Sequence, residues 1–145
     1  MSGRTFVVIG SNSFTGSHIV DALLEEPADR VAGVSRSPES KDLYLPYKRH
    51  PGANFRFHRL DLRRQFAEVA ALLDRLEPQV VINVAALSEV ALSYERPAEY
   101  FDTNPLAVVR LCEHLRRRPY LERYVHISSA EVFGSCGRPL SEESP

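Results

Sequence analysis

Five short apolar runs, rich in β-branched residues, alternate with segments of helical periodicity along this chain. The predicted strands are residues 5–9, 30–35, 54–60, 79–84 and 123–128. Such runs are typical of parallel strands that are buried on both faces, although Arg and His interrupt the third one. The intervening segments 14–26, 63–76 and 97–118 are predicted to be helices, and Pro105 interrupts or restarts the last.

This alternation predicts an α/β fold, a doubly wound parallel sheet with right-handed crossovers and helices on both faces. No repeat, low-complexity tract or linker divides the sequence, and 145 residues suffice for one domain with its own core. We therefore expect a single domain over residues 1–145. A flavodoxin-like sheet would show the same alternation, so the strand order depends on motifs.

A turn with a glycine at each end, GSNSFTG from Gly10 to Gly16, joins the first strand to the first helix. The first glycine allows a sharp backbone turn, and the second allows the helix to start close to the strand. The free N–H groups at such a helix start face an anionic diphosphate. The turn therefore favours dinucleotide binding, although glycines also occur at strand–helix turns for packing alone.

The segment FVVIGSNSFTGSH (6–18) resembles the opening of the extended short-chain dehydrogenases/reductases, whose pattern is G-x-x-G-x-x-G. Ser13 replaces the middle glycine, and a positive φ at that position would strain a serine. Further matches follow in order at Asp61-Leu62, at the NVAA segment 83–86, at residues 88–104, and at VHISSAEVFG (125–134), which resembles the nucleotide-sugar 4,6-dehydratases. The resemblance implies a Rossmann fold, truncated here after about five strands.

The same resemblance, together with the residues at the end of the second strand, indicates which residues contact the cofactor and the substrate. The candidate cofactor-binding residues are Gly10, Ser13, Phe14, Thr15, Gly16, Ser35, Arg36, Asp61, Leu62, Ala85, Ala86 and Asn104. Within this set the Asp61-Leu62 pair matches the adenine contact, and Ala85-Ala86 matches the segment beside the nicotinamide ribose. The candidate substrate-binding residues are Ser88 and Val90, the substrate being a nucleotide-diphosphate sugar.

The end of the second strand bears on the choice between NADP and NAD. An Asp or Glu at this point would accept hydrogen bonds from the ribose 2′-hydroxyl, but the sequence is Val34-Ser-Arg-Ser37. Arg36, with Ser35 or Ser37, suits a 2′-phosphate because a guanidinium matches phosphate geometry. We therefore expect NADP rather than NAD, while a solvated surface Arg36 is the alternative.

The resemblance places the chemistry at Ser129 and Glu131. Glu131 matches the base that removes the proton from sugar C5, and Ser129 matches the hydroxyl that hydrogen-bonds the 4-oxygen. The family's common acid between them is Ala130 in this chain. Epimerases usually have a small residue where Glu131 stands, so we expect a 4,6-dehydratase, with a 4-epimerase or a non-catalytic dinucleotide sensor as alternatives.

The superfamily's Tyr-x-x-x-Lys follows the Glu131 turn on a later helix, which these 145 residues do not contain. Tyr44 and Lys48 match the spacing but lie between the second and third strands, so we expect no catalytic role for them. The fifth strand is expected to be an open sheet edge. We therefore expect the chain to be the amino-terminal part of an enzyme, without the catalytic helix and the substrate lobe, and inactive alone.

Composition argues against several other classes of protein. A net charge of −1 does not favour electrostatic attraction to nucleic acid. No apolar run approaches the ~18 residues of a membrane-spanning helix. The start shows no signal-peptide pattern, and Cys112 and Cys136 are too few for a disulfide framework, so a cytoplasmic protein is expected. The five histidines show no metal-binding spacing, and we expect no metal site. The complete enzyme is expected to be a homodimer.

Overall fold

The computed structural model describes residues 3–144 and contains a five-stranded parallel sheet with helices on both faces. The strands are β1 Thr5–Ile9, β2 Arg30–Ser35, β3 Phe55–Arg59, β4 Val80–Asn83 and β5 Arg123–His126. Their spatial order is β3-β2-β1-β4-β5. The predicted doubly wound fold is confirmed, and this order excludes a flavodoxin-like sheet, in which β1 lies between β2 and β3.

The helices are shorter than the predicted ones, and one of them was not predicted. They are α1 Phe14–Leu23, α2 Phe66–Leu76, α3 Val90–Glu95, α4 Pro97–Phe101 and α5 Ala107–Leu115. Short 3₁₀ turns lie between β2 and β3 and at Ala130–Phe133. No helix within residues 3–144 combines the length and the apolar character that a membrane crossing requires.

The two faces of the sheet are buried against different helices. Along β1, Val7 and Ile9 join the cluster that packs under α2 and α5, while Val8 joins the cluster under α1. All three side chains are almost fully buried. Successive residues of a strand point to opposite faces, so a continuous apolar run such as TFVVI is what a strand between two helical layers requires.

Two departures from the predicted helix boundaries have a local physical cause. The carboxylate of Asp61 accepts hydrogen bonds from the backbone N–H groups of Arg63 and Arg64, which holds a turn where α2 was predicted to begin. Pro105 lacks the N–H that an α-helix needs. Instead of a break, the chain forms the π-helical turn Asp102–Leu106, which connects α4 to α5 without a gap.

Candidate functional site

The two glycines of the first turn are required by close approach of the backbone. Gly10 has φ +91°, and a Cβ atom there would lie 2.8 Å from the backbone nitrogen of Ala85. A Cβ atom on Gly16 would lie 2.2 Å from the carbonyl oxygen of Gly10. Both distances are shorter than a real Cβ contact, so larger residues would push the start of α1 and the end of β4 away from β1.

Ser13 fits the turn without strain because its φ is −73°. Its hydroxyl accepts a hydrogen bond from the N–H of Gly16 at 3.0 Å and donates to the carbonyl of Gly10 at 2.8 Å. Ser13 is therefore the N-cap of α1. Within residues 3–144, the N–H groups of Phe14 and Thr15 have no acceptor, so they are free to bind an anion at this helix start.

A cavity of about 270 Å³ opens beside this turn at the carboxyl ends of β1, β2 and β4. The polar or small residues that line it include Gly10, Asn12, Ser13, Ser35, Arg36, Ser37, Asp61, Ala85, Ala86 and Thr103. Leu62 also lines the cavity and is buried. Most of the predicted cofactor-binding residues thus surround one space at the point where the strand order reverses, the place where open α/β sheets bind ligands.

The loop after β2 is held by Asn12, a residue that sequence reasoning missed. The N–H of Asn12 donates to the buried hydroxyl of Ser35 at 3.0 Å, and its side-chain amide donates to the carbonyls of Ser37 and Pro38. Ser35 is therefore engaged within the protein, whereas Arg36 is exposed at the rim of the cavity. The only sequence signal for Asn12 was a polar side chain inside the glycine turn.

Asn83 and Asn104 shape the opposite wall of the cavity. Asn83 is fully buried, and its side-chain oxygen accepts a hydrogen bond from the N–H of Ala85 at 3.1 Å. Asn104 accepts from the N–H of Leu87 at 2.8 Å and donates to the carbonyl of the same residue at 2.9 Å. Asn104, one of the predicted cofactor-binding residues, thus fastens the loop after β4 to the π-helical turn.

Not all predicted cofactor residues face the cavity. Gly16 lies behind Gly10, and Thr15 is exposed on α1. The Phe14 ring is 81% exposed and packs against the ring of His18, with 4.4 Å between centroids.

The predicted catalytic and substrate residues lie outside the cavity. Ser129 and Glu131 follow β5 and are exposed, and the Ser129 hydroxyl accepts a hydrogen bond from the N–H of Glu131 at 3.2 Å. Ser88 and Val90 are also exposed, in the loop after β4 and at the start of α3. Because β4 and β5 are adjacent and parallel, both pairs follow strands that end at the same edge of the sheet as the cavity.

Neither Tyr44 nor Lys48 lines the cavity. Tyr44 is 67% exposed, and Lys48 forms an ion pair with Glu39 at 3.0 Å. Both lie in the connection between β2 and β3. Within residues 3–144, no group of three or more His, Cys, Asp and Glu side chains is arranged to hold a metal ion.

The strand order, the glycine turn and the cavity at the reversal of the sheet together define a Rossmann-type dinucleotide-binding domain. The model of the NAD dependent epimerase/dehydratase family matches residues 6–145, and the chain belongs to this family. The predicted family resemblance is therefore confirmed.

Individual relatives carry both epimerase and dehydratase names. A UDP-glucose 4-epimerase of Streptococcus mutans is 31% identical over 143 residues, which are 96% of this chain and 40% of that protein. A dTDP-glucose 4,6-dehydratase of Escherichia coli is 26% identical over 141 residues, 92% of this chain and 39% of the dehydratase. The chain thus spans about two fifths of the length of these relatives.

A solved structure of an epimerase is also similar to this chain. The UDP-glucose-4-epimerase of Stenotrophomonas maltophila, with bound NAD and formylated UDP-arabinopyranose, has a TM-score of 0.80 and 26% identity. The match covers 97% of this chain and 42% of that one.

Proposed function

We propose that this chain is the cofactor-binding part of a nucleotide-sugar 4,6-dehydratase, in which Ser129 and Glu131 act on the sugar. The observation that carries the proposal is the Glu131 carboxylate, which stands two residues after Ser129 beyond the end of β5. Membership in the epimerase/dehydratase family supports the reaction class. The catalytic helix and the sugar-binding lobe are proposed to lie outside residues 1–145.

In this proposal one set of residues binds the dinucleotide, and Ser129 and Glu131 act on the sugar. The start of α1 binds the diphosphate through backbone N–H groups, and Asp61 and Leu62 border the adenine side. When bound, the nicotinamide would supply the acceptor for the hydride of sugar C4 and the donor of that hydride to C6. Glu131 would remove the C5 proton, which the C4 ketone makes acidic, as the C6 hydroxyl leaves as water, and Ser129 would donate a hydrogen bond to the 4-oxygen.

We propose NADP(H) as the cofactor. Within β2 and the loop that follows it, no carboxylate lines the cavity, and Arg36 stands at the rim. Calorimetric titration of the 145-residue chain with NADP⁺ and NAD⁺ tests this assignment. We expect tighter binding of NADP⁺, and Arg36→Ala is expected to remove the preference. A preference for NAD⁺ that Arg36→Ala leaves unchanged would overturn the assignment.

A 4-epimerase is the second candidate, and both activities are named among the relatives. The two differ in the need for a base at C5. The protein encoded by the full reading frame that contains these residues is incubated with UDP-, GDP-, CDP- and dTDP-hexoses, and the products are identified by mass spectrometry and NMR. A 4-keto-6-deoxy sugar supports the dehydratase, and a C4 epimer of unchanged mass contradicts it.

The variant Glu131→Gln tests whether Glu131 is the base. If Glu131 is the base, the substitution should lower turnover by roughly 10²–10⁴. Glu142→Gln is the matched control because Glu142 is exposed in the same terminal segment. The 145-residue chain alone, whose one Tyr-x-x-x-Lys is Tyr44 to Lys48, is expected to bind the dinucleotide without multiple turnovers.

We also propose that the complete enzyme is a cytoplasmic homodimer. Exposed apolar side chains on α3, α4 and α5 support a contact between subunits, among them Tyr94, Phe101 and Val109. Sedimentation of the full protein tests the dimer, and charged substitutions at Phe101 and Val109 are expected to shift it to the monomer.

A further inference from the structure

Arg59 is the last residue of β3 and lies beside the end of β2. The register of the sheet pairs Arg59 with Ser35, the final residue of β2. In-register neighbours in a sheet point to the same face, so the Arg59 side chain leaves the sheet on the side of Ser35, which lines the cavity. The Nε atom of Arg59 donates a hydrogen bond to the carbonyl oxygen of Arg36 at 3.3 Å. The guanidinium is thereby held against the loop that forms the rim of the cavity.

Arg36 lines the cavity, and Arg59 contacts the backbone of Arg36 from the end of β3. Within residues 3–144, neither side chain forms an ion pair with a carboxylate, whereas Arg49, Arg63 and Arg118 do. The carboxylate of Asp61, two residues beyond β3, is already engaged by the N–H groups that begin the turn before α2. A doubly charged phosphate can accept charge-assisted hydrogen bonds from two guanidinium groups that have no carboxylate partner.

We propose that Arg59 is a second specificity-determining residue, whose guanidinium binds the 2′-phosphate of NADP(H) together with Arg36. This assignment rests on the proposed binding of NADP(H) in the cavity. Arg36 approaches the phosphate from the loop after β2, and Arg59 approaches from the end of β3. The Nε bond to the Arg36 carbonyl uses one donor of the guanidinium and leaves the terminal amino groups for phosphate oxygens.

The chain offers a matched control for the charge of Arg59. Arg56 lies on the same strand three residues earlier, is exposed, and pairs in register with Ala32, whose side chain faces the side of the sheet opposite to that of Ser35. Arg56→Ala removes the same unit of charge from the same strand without touching the proposed phosphate site. Comparison of Arg59→Ala with Arg56→Ala therefore separates the loss of a contact with the phosphate from the loss of one positive charge in the protein.

The experiment is calorimetric titration of the wild-type chain, Arg59→Ala, Arg59→Lys and Arg56→Ala with NADP⁺ and with NAD⁺ at low ionic strength. Because hydrogen bonds to charged groups are strong but this site is exposed, we expect Arg59→Ala to weaken NADP⁺ binding about tenfold and to leave NAD⁺ binding unchanged. Arg59→Lys should recover part of the loss, since a lysine keeps the charge without the planar fork. Arg56→Ala should bind both dinucleotides as the wild type does.

The outcomes separate this proposal from the one on which it rests. If the wild type prefers NADP⁺ and Arg59→Ala keeps that preference, or if Arg59→Ala loses NAD⁺ to the same degree, the role of Arg59 is wrong and the cofactor assignment stands. If the wild type binds neither dinucleotide, or prefers NAD⁺, the cofactor assignment itself fails and the role of Arg59 fails with it. Equal losses in Arg59→Ala and Arg56→Ala would also overturn the local contact.

Discussion

Replacing Asn104 with alanine should loosen the wall of the cofactor cavity. Its side chain makes two hydrogen bonds to the backbone of Leu87, of 2.8 and 2.9 Å, and both residues are half-buried. Asn104→Ala removes both bonds and leaves a backbone donor and a backbone acceptor without their partner. At a net value of about 1 kcal/mol for each bond, the free energy of unfolding should fall by about 2 kcal/mol.

The loss can be measured by urea unfolding followed by circular dichroism, because the chain contains no tryptophan. For a domain of this size the melting temperature should fall by roughly 4–8 °C. Binding of NADP⁺ at a temperature where the variant is folded should also weaken, because the loop that Asn104 fastens carries Ala85 and Ala86, which line the cavity. Asp102→Ala is the control in the same π-helical turn, and its exposed side chain should change the stability by less than about 0.5 kcal/mol.

Two results would refute this reasoning. If Asn104→Ala is no less stable than Asp102→Ala, the two hydrogen bonds to Leu87 do not stabilise the fold. If stability falls as expected but dinucleotide affinity is unchanged, the hydrogen bonds between Asn104 and Leu87 stabilise the fold without shaping the cavity.

Three further predictions concern other parts of the molecule. Gly10→Ala should lower the free energy of unfolding in urea by more than about 2 kcal/mol, because the new Cβ atom combines a positive φ with a contact of 2.8 Å to the backbone of Ala85. A variant whose stability lies within about 0.5 kcal/mol of the wild type would contradict the close approach of Gly10 to Ala85. Burial would raise the pKa of Asp74, but hydrogen bonds from Tyr120 and Arg118 and the charges of His114 and Arg118 lower that pKa below its ordinary 3.8. The wild type should therefore lose stability relative to Asp74→Asn as the pH falls from 4 toward 2. Parallel acid unfolding curves of the two proteins would refute this. Tyr44→Phe should retain most of the kcat of the full protein, and a hundredfold loss would show that the active site is misplaced.

The sequence predicted the elements that depend on local chemistry. The bounds of β1 and β2 agree with the prediction because short apolar runs rich in β-branched residues are typical of strands buried on both faces. The loss of the N–H at Pro105 predicted an interruption, but not that a π-helical turn would carry the chain through it. The turn before α2 was missed because it depends on the Asp61 carboxylate reaching two N–H groups, a competition that helical periodicity does not reveal.

Most of the candidate site was also predicted, because it is concentrated in short motifs at strand ends. Gly10, Ser13 and Arg36 lie where such motifs place them. Asn12 and Arg59 were not found, since each acts through a contact with the loop after β2. The two hydrogen bonds of Asn104 to Leu87 could not be predicted, because they depend on where the loop after β4 lies.

By itself, the sequence determined the class of fold, through the alternation of apolar runs with helical segments, and the family, through short motifs that follow one another in order. The tertiary structure decided the order of the strands and with it which side chains share one space. Strand order depends on how helices cover the two faces of the sheet, a property of the whole core rather than of any segment. Only that order places Arg59 beside Ser35, and Ala85 against Gly10, although each pair is separated by more than twenty residues in the chain.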